Sequence, residues 1–202
     1  IAGKNSGRVF FSARSHDFQG VRRQYESLPF PARNPDAEHY MLWISVPDIL
    51  GKLNQYCFGG GRDFSKPFRV LVAGCGTGDS AIWLGHQLQG TPAEIVAIDI
   101  SAASLEIAQA RARVRKLNNI NWVNASLLDI AALGLGRFDY ITSLGVLHHL
   151  GDPVQGLKAL ESVLAEGGAM ALMVYGAVGR AHIYAMQKTL RQLAAGLDAP
   201  GE

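Results

Sequence analysis

From residue 68 onward, short continuous apolar runs alternate with longer segments whose apolar residues recur at helical spacing. Residues 68–73 are apolar throughout except for Arg69 and partly β-branched, the pattern of a strand buried on both faces. The same reading predicts strands at 94–100, 120–124, 138–143 and 169–175. Between them it predicts helices from Asp79 to about Gln89, from Ala102 to about Leu117 and over 154–164, with a last helix over 180–193. Asp79 and Ser80 are placed where a side chain could cap the first of these helices. Strand and helix in alternation imply an α/β fold: a mainly parallel sheet with helices on both faces.

The pattern changes character at Lys66 and Pro67. Before them, Pro29, Pro31, Pro35 and Pro47 interrupt short mixed segments, and Gly59, Gly60 and Gly61 form a joint. The expected organisation is therefore a largely helical cap over 1–66 and a core over 67–202. The cap is aromatic, with Tyr25, Phe30, Tyr40, Trp43 and Tyr56. Composition excludes several classes of protein. No apolar stretch is long enough to cross a membrane, and the start carries no leader pattern. Two cysteines, Cys57 and Cys75, are too few for a disulfide framework, so both are read as free thiols in a cytoplasmic protein. A formal charge of +2 with both signs interspersed gives no field that would gather nucleic acid, so no nucleic-acid partner is expected. The basic group Arg111, Arg113, Arg115 and Lys116 reads as the solvated C-terminal face of its helix. The chain opens on Ile1 rather than methionine, and is expected to be part of something longer.

The densest chemistry lies at 70–81. The strand ending Val70-Leu71-Val72-Ala73 runs into Gly74-Cys75-Gly76-Thr77-Gly78 and then a helix start. Glycines let a ligand lie against the main chain, and the helix N-terminus adds free amides and partial positive charge. An acid about 20 residues on, at the tip of the next strand, suits ribose hydroxyls; Asp99 in Ile98-Asp99-Ile100 stands there. Loop and acid together fit either an adenosyl cofactor or a nicotinamide dinucleotide, since Gly76-Thr77-Gly78-Asp79-Ser80-Ala81 also satisfies the dinucleotide fingerprint.

Taken with Phe138-Asp139-Tyr140-Ile141 and Leu164-Ala165-Glu166-Gly167-Gly168, this set resembles the class I S-adenosylmethionine-dependent methyltransferases over 68–175. The resemblance implies a Rossmann-like fold whose last strand pair is missing from this chain. It implies S-adenosyl-L-methionine as cofactor and a small molecule or protein side chain as methyl acceptor. Its cofactor set here is Gly74, Cys75, Gly76, Thr77, Gly78, Asp99, Ile100, Ser126, Leu127 and Ser143. Adjacent His148 and His149, just past the fourth strand, are the candidate bases, with His149 favoured; extended neighbours point apart, so no metal site is expected. Two positions depart from the family: Val72 stands where an acid is usual, with Asp79 just past the loop either compensating for it or capping its helix, and Ser126 stands where the third strand often ends in aspartate. A second resemblance, at Gln24-Tyr25-Glu26 with Pro29-Phe30-Pro31 and at Tyr175-Gly176 with Gly179-Arg180, is to a bacterial methyltransferase subgroup sometimes joined to tetratricopeptide repeats. The alternatives are an NAD(P)-dependent oxidoreductase and a cofactor-binding module without catalysis.

Overall fold

The computed structural model describes residues 18–176 and 178–194. Five strands form one sheet: β1 (Phe68–Ala73), β2 (Ala93–Asp99), β3 (Ile120–Asn124), β4 (Phe138–Leu144) and β5 (Leu164–Met173). Their order is β3-β2-β1-β4-β5, and every neighbouring pair is parallel. Helices α1 (Phe18–Ser27) and α2 (Leu50–Phe58) precede the sheet; α3 (Asp79–Gln87), α4 (Ala102–Val114) and α5 (Pro153–Ser162) connect its strands; α6 (Ala181–Ala194) follows. The chain builds outward from β1 to β3, then returns to place β4 on the other side of β1. That reversal opens a crevice at the carboxyl ends of β1 and β4, where sheets of this kind hold ligands.

Alternation along the strands makes two cores. Val70, Val72 and Tyr140 pack with Ala81, Leu84 and Leu88 of the α3 region and Leu53 of α2. Leu71, Ala73 and Ile141 pack on the other face with Leu127, Leu147 and Leu160. The start of α4 is well satisfied. Ser101 caps α4 through the Ser104 amide, and Glu26 of α1 accepts from the amides of Ala102 (2.8 Å) and Ala103 (3.0 Å).

Three expectations change. Helix α4 stops short of Leu117 because Lys116 turns left-handed (φ 57°), with Leu117 N donating to Ala112 O and Lys116 N to Arg113 O. Strand β5 begins at Leu164: the Gly167-Gly168 turn is a bulge within it, and pairing shifts from Phe138 opposite Leu164 to Tyr140 opposite Ala169. A Cβ on Gly168 would lie 2.9 Å from Ala165 O and 3.0 Å from Asp139 O, so only glycine passes there.

The third concerns the basic face of α4. Arg113 and Lys116 are exposed, but Arg111 is wholly buried. Its guanidinium meets Glu38 (2.6 Å), Asp79 (2.8 Å) and the Thr77 carbonyl (2.7 Å). Arg115, one turn on, also reaches Glu38. Asp79 in turn takes a two-pronged contact from Arg33 (3.0 and 2.7 Å), so its carboxylate serves two arginines instead of capping α3. Burial works to raise the Asp79 pKa, but Arg33 and Arg111 outweigh it and hold the carboxyl below its ordinary value.

Arg111→Met leaves Glu38 buried with a weakened partner set and is expected to cost about 3–5 kcal/mol in urea unfolding. Arg113→Met, exposed on the same helix, should stay within about 0.5 kcal/mol of the parent.

Candidate functional site

A cavity of about 350 Å³ lies at the carboxyl ends of β1, β2 and β4, closed over by Val21 and Tyr25 of α1 and by Phe30, Pro31, Ile44 and Ser45. The glycine loop forms one wall. Gly74, Gly76 and Gly78 have φ of 75°, 52° and 101°, which other residues adopt only with strain. Protein neighbours crowd them as well: a Cβ would come within 2.4 Å of Val146 at Gly74, 2.6 Å of the Phe30 carbonyl at Gly76 and 2.8 Å of Ala108 at Gly78. The loop is therefore glycine-rich partly so that α4 and the Phe30 segment can close onto it.

Asp99 sits at the tip of β2. Its Oδ2 accepts from the Gly76 amide (2.7 Å) and its Oδ1 from the Ser101 amide (2.9 Å). The carboxylate keeps lone-pair capacity for a further donor. Burial raises the Asp99 pKa, the amides of Ser101, Gly76 and Ile100 oppose this, and the nearby charge of Glu26 adds to it. Burial also raises the Cys75 thiol, with Asp99 adding to the effect, so Cys75 stays a thiol.

Of the residues expected from sequence, Gly74, Cys75, Gly76, Asp99, Ile100, Ser126, Leu127 and His149 line this cavity. Thr77, Gly78, Ser143 and His148 do not. Thr77 is buried and gives its hydroxyl to the Pro31 carbonyl (2.7 Å), and Gly78 faces α4. Ser143 turns back to donate to the Ala73 carbonyl (3.0 Å), holding β4 to β1.

The two histidines do not point apart. They fall in the tight turn Leu147–His149, and their ring centroids are 4.3 Å apart. His148 stacks between His149 and Tyr175 (3.9 Å), with both ring nitrogens buried and unpartnered among the described residues. His149 reaches the cavity, and its Nε2 is 3.2 Å from the Tyr25 hydroxyl. Arg180 lies 3.8 Å over the Tyr175 ring. Burial, reinforced by Arg180, lowers the His149 pKa, and burial with the charges of His149 and Arg180 lowers that of His148. Burial raises the Tyr25 pKa, so the pair at neutral pH is a phenol and a neutral imidazole. Among the described residues no group of three His, Cys, Asp or Glu side chains could hold a metal, and no helix is long and apolar enough to cross a membrane.

Several lining residues carried no signal in the sequence. Ser45, Ser104 and Thr142 bring hydroxyls to the cavity, as does Ser80, and among the described residues Ser104 Oγ is buried without a partner. Thr142 stands beside Val72 across the β1–β4 pairing.

Residues 71–170 match the family model of a methyltransferase domain. An uncharacterized protein of Synechococcus sp. is 40% identical over 190 residues, covering 91% of this chain and 43% of that protein. The tRNA 5-carboxymethoxyuridine methyltransferase of Escherichia coli strain K12 is 33% identical over 170 residues, covering 82% and 59%. The chain thus spans about half the length of these curated relatives. A solved structure from work on the conversion of a disulfide bond into a thioacetal group during echinomycin biosynthesis superposes with TM-score 0.59 at 23% identity, covering 85% of this chain and 67% of that one. At that identity the likeness shows a shared fold.

A nuclear magnetic resonance titration should find His149 protonating below the ordinary imidazole range. In Arg180→Gln its midpoint should move upward, because a cation that opposes imidazolium formation is gone.

Proposed function

We propose that this chain, whose residues 71–170 match a methyltransferase-domain model, is a class I enzyme that transfers the methyl group of S-adenosyl-L-methionine to a small molecule or a protein side chain. The observation that carries the reading is Asp99, braced by the Gly76 and Ser101 amides with free lone pairs toward a cavity of about 350 Å³. That cavity is of ligand size and mostly apolar, with a few convergent hydroxyls. The residues present therefore fit the cofactor. Asp99 would hold its ribose hydroxyls, the main chain at Gly74 and Gly76 would run beside its chain, and Ile100, Ser126 and Leu127 would surround its base. When bound, the cofactor supplies an already activated methyl group.

The protein's own work is alignment, exclusion of water and handling of one proton. Leu144, Val146, Leu150 and Met173 give the acceptor side an apolar wall. The Tyr25 hydroxyl, kept protonated, lies 3.2 Å from His149 Nε2 and holds the neutral imidazole in place; with the ring proton on Nδ1, Nε2 is the acceptor. An acceptor hydroxyl or amine that replaces Tyr25 at Nε2 meets a lone pair able to take its proton. His148 acts from behind, packed between His149 and Tyr175. Residues 18–66 serve as the cap. Both halves of the second sequence resemblance converge here, Tyr25 on His149 and Tyr175 with Arg180 on His148 and its neighbour, which supports kinship with the tetratricopeptide-linked subgroup. The methyltransferase-domain match weighs against the dinucleotide reading. The Escherichia coli relative named for tRNA favours a second acceptor class, an RNA nucleoside, which a tRNA-binding assay would separate from the first. The cytoplasm is the proposed compartment.

Calorimetry with S-adenosylhomocysteine tests the reading. Asp99→Ala should weaken binding about a hundredfold, the loss of two hydrogen bonds to a charged group. Ribose donors favour ionised Asp99, so affinity should fall as pH drops through its raised pKa, beginning above the ordinary carboxylate range. Tight dinucleotide binding with no adenosyl binding would contradict the proposal.

A further inference from the structure

Behind the cavity wall at Ser45 lies a buried acid that none of the roles above employs. Asp48 is fully buried at the end of the turn Val46–Asp48. Its Oδ1 accepts from the Tyr140 hydroxyl at 2.8 Å, and its Oδ2 accepts from Ser45 Oγ. Among the described residues no Lys, Arg or His side chain lies within ion-pair distance of it. Hydroxyl donors reduce the penalty of burying a carboxylate, but they leave the charge uncompensated.

The other acids near the cavity are committed. Asp79 is paired with Arg33 and Arg111, and Asp99 is bound by amides at the β2 end. Val72 contributes no charge at all. Ser45 stands between Asp48 and the cavity, which Ser45 and Ser80 both line. Ser80 Oγ donates to Ser45 Oγ at 3.1 Å, and Ser45 spends its only proton on Asp48. One lone pair of Ser45 is left, and Ser45 is thereby fixed as an acceptor toward any donor in the cavity. Thr142 Oγ1, also buried, belongs to the same wall.

We propose that Asp48, acting through the Ser45 hydroxyl, forms a seat for an ammonium group, and that the amino-acid end of the cofactor docks there. The inference rests on the cofactor reading above. Asp48 supplies the negative charge, Ser45 the contact, and Thr142 a further hydroxyl.

The test is calorimetry with two probes, S-adenosylhomocysteine and 5′-methylthioadenosine, which share the nucleoside thioether while only the first carries the ammonium-bearing chain. Ser45→Ala and Asp48→Asn should each weaken S-adenosylhomocysteine about tenfold or more and leave 5′-methylthioadenosine within about twofold. Ser45→Ala keeps the Asp48 to Tyr140 bond and carries the test if Asp48→Asn does not fold. Equal losses for both probes, or no loss for S-adenosylhomocysteine, would overturn the seat and leave the cofactor reading standing. A parent protein that binds neither probe would overturn the cofactor reading and the seat with it.

Discussion

Arg111 is the residue on which the site's architecture turns. A guanidinium with no exposure must have its charge and its donors satisfied within the protein, and its partners here come from three places: Glu38 before the sheet, Asp79 at the start of α3 and the Thr77 carbonyl in the glycine loop. That requirement ties the segment ahead of β1 to the loop that follows it. Arg33 extends the tie through Asp79, and Arg115 through Glu38. Once the segment is fixed, the Thr77 hydroxyl reaches the Pro31 carbonyl and the Phe30 carbonyl comes down on Gly76. The cavity owes its roof to these contacts.

A second attachment fixes the other end of the roof. Glu26 accepts from the first amides of α4, and Ser101 donates to the Tyr25 carbonyl at 3.1 Å. Tyr25 is thus anchored by its main chain beside Asp99 and by its hydroxyl beside His149. One residue spans the distance between Asp99 and His149. Inside, the charges are segregated: Asp99 with its amides at the β2 tip, Asp48 behind Ser45 near β1, and the neutral histidine toward β4. A ligand bearing ribose hydroxyls at one end and a cation at the other would match that layout.

Much of the scaffold was legible in the sequence. Strands β1 and β3 begin and end where the apolar pattern predicts them, because a strand bounded by polar or glycine residues has few other registers. Gly74, Gly76 and Asp99 were likewise readable, since tight turns and strand-tip acids leave local marks. Arg111 was not. An arginine near a helix C-terminus looks the same whether solvated or buried, and its partners are far away in sequence. The available signal was spacing: Leu105, Ala108, Arg111 and Ala112 share one face of α4. Asp79 was misread for the same reason, a distant partner overriding a local cap. The histidines were placed on an extended segment, and the turn at Leu147–His149 brought them into contact. Ser45, Asp48 and Thr142 carried no motif, because hydroxyls and a lone acid acquire meaning only when tertiary packing places them around one cavity.

If the cavity between β1, β2 and β4 holds S-adenosylmethionine with its sulfur toward His149, a crystal structure with S-adenosylhomocysteine will place the ribose hydroxyls on Asp99 and the thioether sulfur against the side walled by Gly145, Val146 and His149. A ligand outside this cavity, or bound in it with its sulfur turned away from that wall, would rule that placement out.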